Sequence, residues 1–297
     1  MTDIPAEPKV AEVDPARTDK LVLTGLLALP ALFLTVLSLV PLFLLLQLSF
    51  AHHDEGGLWT PSLELTQYAK LLNPLFLKVA AFSFTLAIGT AIVSVAIAFP
   101  AAYFISRMRR RAQVTWLVFL LSTLSLSEVL IVFSFQVLLS GSGAMVKALM
   151  ALGLMSSAHS LYPSFGAVQA CLIYVVLPYI ILFLYPAVSQ LDDDIPAAAS
   201  TMGASPVWTF LTVTAPIVRG PLLSAGLLVV IWTVGTYLTP LVLGRPQNWT
   251  IGIQISNAAM TTGDLPLAAA QAVALVSLMV GLLGLTRWLS GSGSVEP

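Results

Sequence analysis

One carboxylate, Glu128 in Ser125-Leu126-Ser127-Glu128, falls deep inside an apolar stretch of this 297-residue chain. An ionised carboxylate at the centre of a hydrocarbon layer costs at least ~2.5 kcal/mol and is normally paired or turned toward a cavity. Two readings fit the residue. Either it draws a cation into a polar path, or it is a neutral, hydrogen-bonded acid packed against a neighbour. A second interruption follows at Gly235-Thr236-Tyr237-Leu238-Thr239-Pro240. There Thr236, Tyr237, Thr239 and Pro240 are candidates to line a solute path, because a broken helix exposes backbone groups. A plain kink packed on another helix is the alternative. Tyr174, Tyr179 and Tyr185 read as packing or interfacial anchors. The histidines are His52, His53 and His159, and His52-His53-Asp54 lacks the third spaced ligand a metal site needs. With no catalytic set and no G-x-x-x-x-G-K-[ST] phosphate loop, the chain reads as neither an enzyme nor a holder of cofactor or metal.

The elements that must position these residues are spans of a bilayer. Charged residues are 9% of the chain, against roughly a quarter in soluble domains, and the mean hydropathy is +0.93. Nucleic-acid binding needs a basic excess, whereas 13 Lys+Arg face 14 Asp+Glu, for a net charge of -1. The lone cysteine, Cys171, cannot form an intrachain disulfide. A crossing helix needs about 20 apolar residues at about 1.5 Å each. Apolar runs of that length predict an all-α membrane protein with six transmembrane helices, near 21–49, 79–105, 114–139, 165–189, 218–243 and 266–289. The expected organisation is a polar tail over 1–20, a transmembrane domain over 21–290 and a short tail over 291–297.

The polar tail carries five acids, Asp3, Glu7, Glu12, Asp14 and Asp19, a poor signal-peptide start. Basic residues set the orientation. With six spans and the N-terminus inside, nine lie on the cytoplasmic side (Lys9, Arg17, Lys20, Arg107, Arg109, Arg110, Arg111, Arg219, Arg287) and four outside (Lys70, Lys78, Lys147, Arg245). Both termini are therefore expected in the cytoplasm. The Arg107–Arg111 cluster reads as a topology anchor, with a contact to membrane-lipid headgroups or to a partner as the alternative.

Residues 192–217 (DDDIPAAASTMGASPVWTFLTVTAPI) look apolar enough for a seventh span, but Pro196, Pro206, Pro216 and Gly203 argue against one. They predict instead a surface helix–turn–helix. A short helix over Pro196–Met202 ends at Gly203, where glycine accepts the left-handed C-cap conformation. Ser205 caps the next helix and Pro206 takes its first position. Val207, Phe210, Leu211 and Thr214 then share one face. Asp192, Asp193 and Asp194 favour the N-terminus of the first short helix.

The spacing Ala197-Ala198-Ala199-x-x-x-Gly203, Ala204-Ser205-Pro206, then Val213-x-Ala215-Pro216 resembles the EAA motif of inner-membrane permeases of binding-protein-dependent ABC importers. Two positions depart from it: Ala197 stands where that family usually has Glu, and Ala215 where it usually has Leu. Asn73-Pro74-Leu75, Ala98-Phe99-Pro100-Ala101-Ala102-Tyr103, Val176-Leu177-Pro178-Tyr179 and Gly235-Thr236-Tyr237-Leu238-Thr239-Pro240 resemble the spermidine/putrescine-type permeases. The arginine those permeases usually carry in the third span is missing near Ile131.

The resemblance implies a bacterial inner-membrane subunit whose segment 192–217 is a cytoplasmic coupling helix between spans 4 and 5. Ala197, Ala198, Ala199, Gly203, Ala204, Ser205, Pro206 and Pro216 would dock on an ABC ATPase dimer. That dimer would hold the ATP and Mg. It further implies a second, non-identical permease, an extracytoplasmic solute-binding protein and a small, cationic, polyamine-like solute. An ion-gradient-driven secondary carrier is the competing reading; it predicts buried charge pairs on several spans and an internal repeat, and the sequence offers Glu128 alone.

Overall fold

The computed structural model describes residues 15–54, 59–192 and 194–291. Within them the chain is a helical bundle with a two-stranded antiparallel hairpin, β1 (His52–His53) on β2 (Trp59–Thr60), at one end. Asp193 and most of the expected tails fall outside the described residues. Residues 15–20 of the expected first tail are helical and continuous with α1 (Pro15–Ser49).

Four helices are long and apolar enough to cross a membrane. They are α1 in its part from Pro30, α3 (Pro74–Ser106), α7 (Phe165–Ser189) and α14 (Leu265–Gly291) in its part up to Gly284. Local chemistry explains where they start. Asn73 accepts a hydrogen bond from the Leu75 N–H with Pro74 at the first helical position, so α3 begins five residues before the expected 79. Ser164 accepts from the Ala167 N–H and opens α7. Ahead of α3 lies the single turn of α2 (Thr66–Lys70).

The other two spans are broken. The helix expected over 114–139 divides into α4 (Arg110–Leu124) and α5 (Glu128–Leu138), bent by 91°. The helix expected over 218–243 divides into α11 (Arg219–Val234) and α12 (Leu238–Leu243). At about 1.5 Å per residue, α11 rises roughly 24 Å, short of a hydrocarbon core of about 30 Å. The crossing is completed beyond the break. Val218 packs in one cluster with Val188 near the end of α7, and the Leu243 carbonyl accepts from the Ser164 N–H at its start, 3.0 Å away. Thus α11 and α12 together run the full length of α7, antiparallel to it. Among the described residues, counting α4 with α5, and residues 206–217 with α11, as one bent span each gives up to six spans.

α3, α7 and α11 form the centre. One apolar cluster joins Phe99, Ala102, Ile180, Leu184, Val188 and Val229. A second joins Leu86, Val132, Val168, Leu172 and Leu243. A polar pair crosses between them: Gln169 Nε2 donates to Thr90 Oγ1 at 2.9 Å. By contrast, α1 packs along α14 and leaves its remaining surface open, with Phe33 64% and Phe43 65% exposed. Smaller elements complete the chain: α6 (Ala144–Ala151), α8 (Asp194–Thr201), α9 (Pro206–Thr209), a π turn over Phe210–Thr214, α10 (Ala215–Ile217) and α13 (Ile251–Met260).

Candidate functional site

Two sites arise from the two kinds of interruption. In segment 192–217 every device is local. Asp192 Oδ1 accepts from the Asp194 N–H at 3.0 Å as α8 begins. Gly203 has φ +87°, and a Cβ there would meet nothing within 4 Å, so the backbone conformation rather than space demands glycine. The Ala204 N–H reaches back to the Ala199 carbonyl at 3.2 Å, the six-to-one bond of a Schellman ending. Ser205 Oγ then accepts from the Trp208 N–H at 3.3 Å, with Pro206 at the first position of α9. Ala198, Ser205, Pro206 and Pro216 are exposed, Ala199 and Ala204 half-buried, and Ala197 lies within α8.

One expectation is corrected. Val207, Phe210, Leu211 and Thr214 do not share a face. Thr214 is buried and Phe210 half-buried, whereas Val207 and Leu211 are exposed together with Trp208. The π turn is the reason, because each residue in it turns the chain through a smaller angle than in an α-helix and shifts the stripe. Phe210 stacks on Phe99 with centroids 4.4 Å apart, and its ring meets Tyr103 edge-on at 5.3 Å. Arg107 Nη2 donates to the Leu191 carbonyl at 3.3 Å. The segment is thereby laid across the Arg107–Arg111 end of the bundle, and it turns into α11 through an 80° bend.

The second site is assembled from distant residues. Glu128 is the first residue of α5, at the helix end that carries partial positive charge. Thr239 Oγ1 donates to Glu128 Oε1 at 3.2 Å, across 111 positions of sequence. Thr239 is wholly buried and interacts with the thiol of Cys171 on α7. Of the other candidates, Pro240 is buried beside it, Thr236 is 7% exposed and Tyr237 is 41% exposed at the break. The structure thus joins Glu128 to Thr239 and leaves Tyr237 facing outward.

What holds the break open was not visible in the sequence. Thr250 Oγ1 donates to the Thr236 carbonyl at 2.8 Å, a carbonyl that no helical N–H can reach because the residue four positions on is Pro240. The N-terminus of α13 is pressed against this point. A Cβ on Gly252 would lie 2.8 Å from the Thr236 carbonyl oxygen, too close for any other residue without displacement. The Ile251 N–H is satisfied by Ser83 Oγ of α3 at 3.0 Å. Thr250, Gly252 and Ser83 carry no motif, and only their contacts reveal them.

At the opposite end of the bundle from segment 192–217, Asp264 accepts from the Leu267 N–H at 3.0 Å and from Lys70 Nζ at 3.2 Å. His52 Nδ1 lies 3.1 Å from Glu64 Oε2, and that contact holds the Glu64 carboxyl below the usual carboxylate range. Among the described residues no group of three His, Cys, Asp or Glu side chains could hold a metal ion.

The comparisons agree with this geometry. No family profile matches the chain. A crystal structure of a bacterial alginate ABC transporter, in complex with an alginate pentasaccharide-bound periplasmic protein, superposes with a TM-score of 0.70 at 13% identity. The match covers 92% of this chain and 95% of that one. A second structure, of a bacterial ABC transporter involved in the import of alginate, gives 0.69 at 14% identity. The chain thus shares its fold with chains of these two transporter structures. In sequence the chain is homologous to the spermidine/putrescine transport system permease protein PotB of Escherichia coli (strain K12), 24% identical over 256 residues, or 86% of this chain and 93% of that protein. PotB of Haemophilus influenzae is 24% identical over 82% of the chain, and the inner membrane ABC transporter permease protein YdcU of Escherichia coli (strain K12) is 24% identical over 71%.

Proposed function

We propose that the chain forms half of the translocation path of an ATP-driven importer for a small cationic, polyamine-like solute. The observation that carries the reading is the Glu128–Thr239 bond, an acid held at 3.2 Å from a buried hydroxyl where two helices break. An ionisable group at that depth marks a solute path by default, and broken helices offer it backbone partners. Glu128 supplies the charge that attracts an ammonium group. Thr239 orients the carboxylate, and Tyr237, exposed at the break, lines the path beside it. The PotB homology supports the solute class.

In this reading the exposed Gly203 turn and its flanks, from Ala197 to Pro206 with Pro216, are the coupling helix. An ABC ATPase dimer docks there and uses ATP and Mg. A non-identical second permease closes the path, and an extracytoplasmic binding protein delivers the solute. Both termini and the Arg107–Arg111 cluster lie in the cytoplasm of a bacterial inner membrane. The chain itself hydrolyses nothing.

The test is purification of the tagged chain in mild detergent with mass spectrometry of what accompanies it, followed by uptake of labelled spermidine and putrescine by cells with and without the chain. An ATPase and a second permease in the eluate, with uptake lost on deletion, is the expected result. Neither partner in the eluate, with a control complex intact, overturns the reading.

A further inference from the structure

Segment 192–217 touches the spanning bundle through a small set of groups, and most of them converge on the end of α3. At its entry, the Leu191 carbonyl accepts from Arg107, whose guanidinium sits 5.3 Å over the Tyr103 ring. At its exit, Phe210 stacks on Phe99 and meets Tyr103. Phe99 is 6% exposed and immediately precedes Pro100, which leaves α3 without one backbone donor there. Val207 and Trp208, three and two residues before it, point the other way, at 70% and 64% exposed.

Phe210 also opens the π turn, a geometry that is rare and concentrates at functional sites. The hydroxyls of Thr209, just before that turn, and of Thr214, its last residue, are buried and have no hydrogen-bond partner among the described residues, and a buried hydroxyl left unpaired raises the energy of the arrangement that contains it.

From this we infer that Phe210 is the joint that passes movement of the coupling segment into α3. The inference rests on the proposed docking of an ATPase at that segment. α3 reaches from this joint to the support of the broken span by named contacts, alongside α11, which continues the segment directly into the break. Phe99 and Ser83 are sixteen residues apart on it, about 24 Å at 1.5 Å per residue. Ser83 Oγ accepts from the Ile251 N–H, and the neighbouring Thr250 holds the Thr236 carbonyl of the break. A displacement of Phe210 thus shifts a rigid helix whose far end supports the break beside Glu128 and Thr239. Phe210 is a positioning residue: it touches neither solute nor nucleotide.

A chain of contacts shows where coupling can travel, and only coupling energies show that it does. The experiment uses the whole complex, purified with its ATPase and reconstituted in liposomes, and measures solute taken up per ATP hydrolysed. Phe210→Ala is expected to retain the ATPase and hydrolyse ATP while the uptake ratio falls about ten-fold, within the usual range of coupling between sites. Phe210→Leu, with similar bulk and no ring face, is expected to lose most of the ratio, and Phe210→Tyr to keep it. Because Phe210 acts through Phe99, the double change Phe99→Ala/Phe210→Ala is expected to fall no further than Phe210→Ala alone. A ratio within two-fold of wild type for Phe210→Ala, or for Phe210→Leu should the alanine variant fail to assemble, overturns the joint. Additive losses in the double variant overturn it too. Absence of ATPase from the wild-type complex instead overturns the docking reading itself.

Discussion

The chain breaks its helices at Gly203 and again at Gly235–Tyr237, and the two breaks are made by opposite means. At Gly203 the causes lie within a few residues: a positive φ, a Schellman bond, the Ser205 cap and Pro206. At Gly235 the backbone has φ −81°, which any residue adopts. There Pro240 withholds the N–H that the Thr236 carbonyl would need, Thr250 from a distant part of the chain donates in its place, and Gly252 lets that segment approach. A local break presents a fixed shape outward, as a docking surface requires. A break held by tertiary contacts changes when its support moves, as a gate requires.

Substitutions that destroy one break and spare the other separate the two. The largest effect is expected for Gly203→Val, since a left-handed conformation costs an ordinary residue about 1–2 kcal/mol and a β-branched one more. The variant is expected in the membrane at normal abundance while ATP-driven uptake drops ten-fold or more, within the usual range of coupling between sites. Uptake at wild-type rate would show that the turn is not the docking element. Glu128→Gln comes next. It keeps the hydrogen bond to Thr239 and removes the charge, so uptake of a doubly charged amine is expected to fall several-fold with assembly intact, and unchanged uptake would remove Glu128 from the path.

Thr250→Val tests the second break directly. It leaves the buried Thr236 carbonyl without its donor, a loss of about 1–3 kcal/mol, expected to appear as a lowered melting temperature in detergent. An unaltered melting temperature would mean that the break supports itself. Ser205→Ala removes a helix cap worth about 1 kcal/mol; it is expected to weaken retention of the ATPase modestly and to leave melting of the bundle unchanged.

The smallest effect concerns neither break. Glu64 is held below the ordinary carboxylate value by His52. A depressed acid contributes stability above its unfolded pKa and loses it as pH falls through the folded one. The hairpin tie is therefore expected intact at neutral pH and lost only in acid below the usual carboxylate range, with hydrogen exchange of residues 59–64 as the readout.

The same contrast explains what the sequence could disclose. Span positions were legible because hydrocarbon imposes a length, and α7 starts and stops at the expected residues, 165 and 189. The Gly203 turn was legible because its chemistry is contiguous. The 91° bend between α4 and α5 was not, since Ser125-Leu126-Ser127 contains neither proline nor glycine. The inward turn of Phe210 was hidden by a π turn that no residue type announces. Glu128 stood out as a charge in an apolar run, but its partner Thr239 is 111 positions away. Ser83, Thr250 and Gly252 stood out in nothing.

The pairing of α1 with α14 carries a consequence for the order in which the molecule is built. The first described helix has its contacts with the last, across more than 200 residues. During synthesis α1 enters the bilayer first and waits, with its apolar surface toward lipid, until α14 follows. A chain halted before Leu265 would therefore lack the helix against which α1 packs along its length.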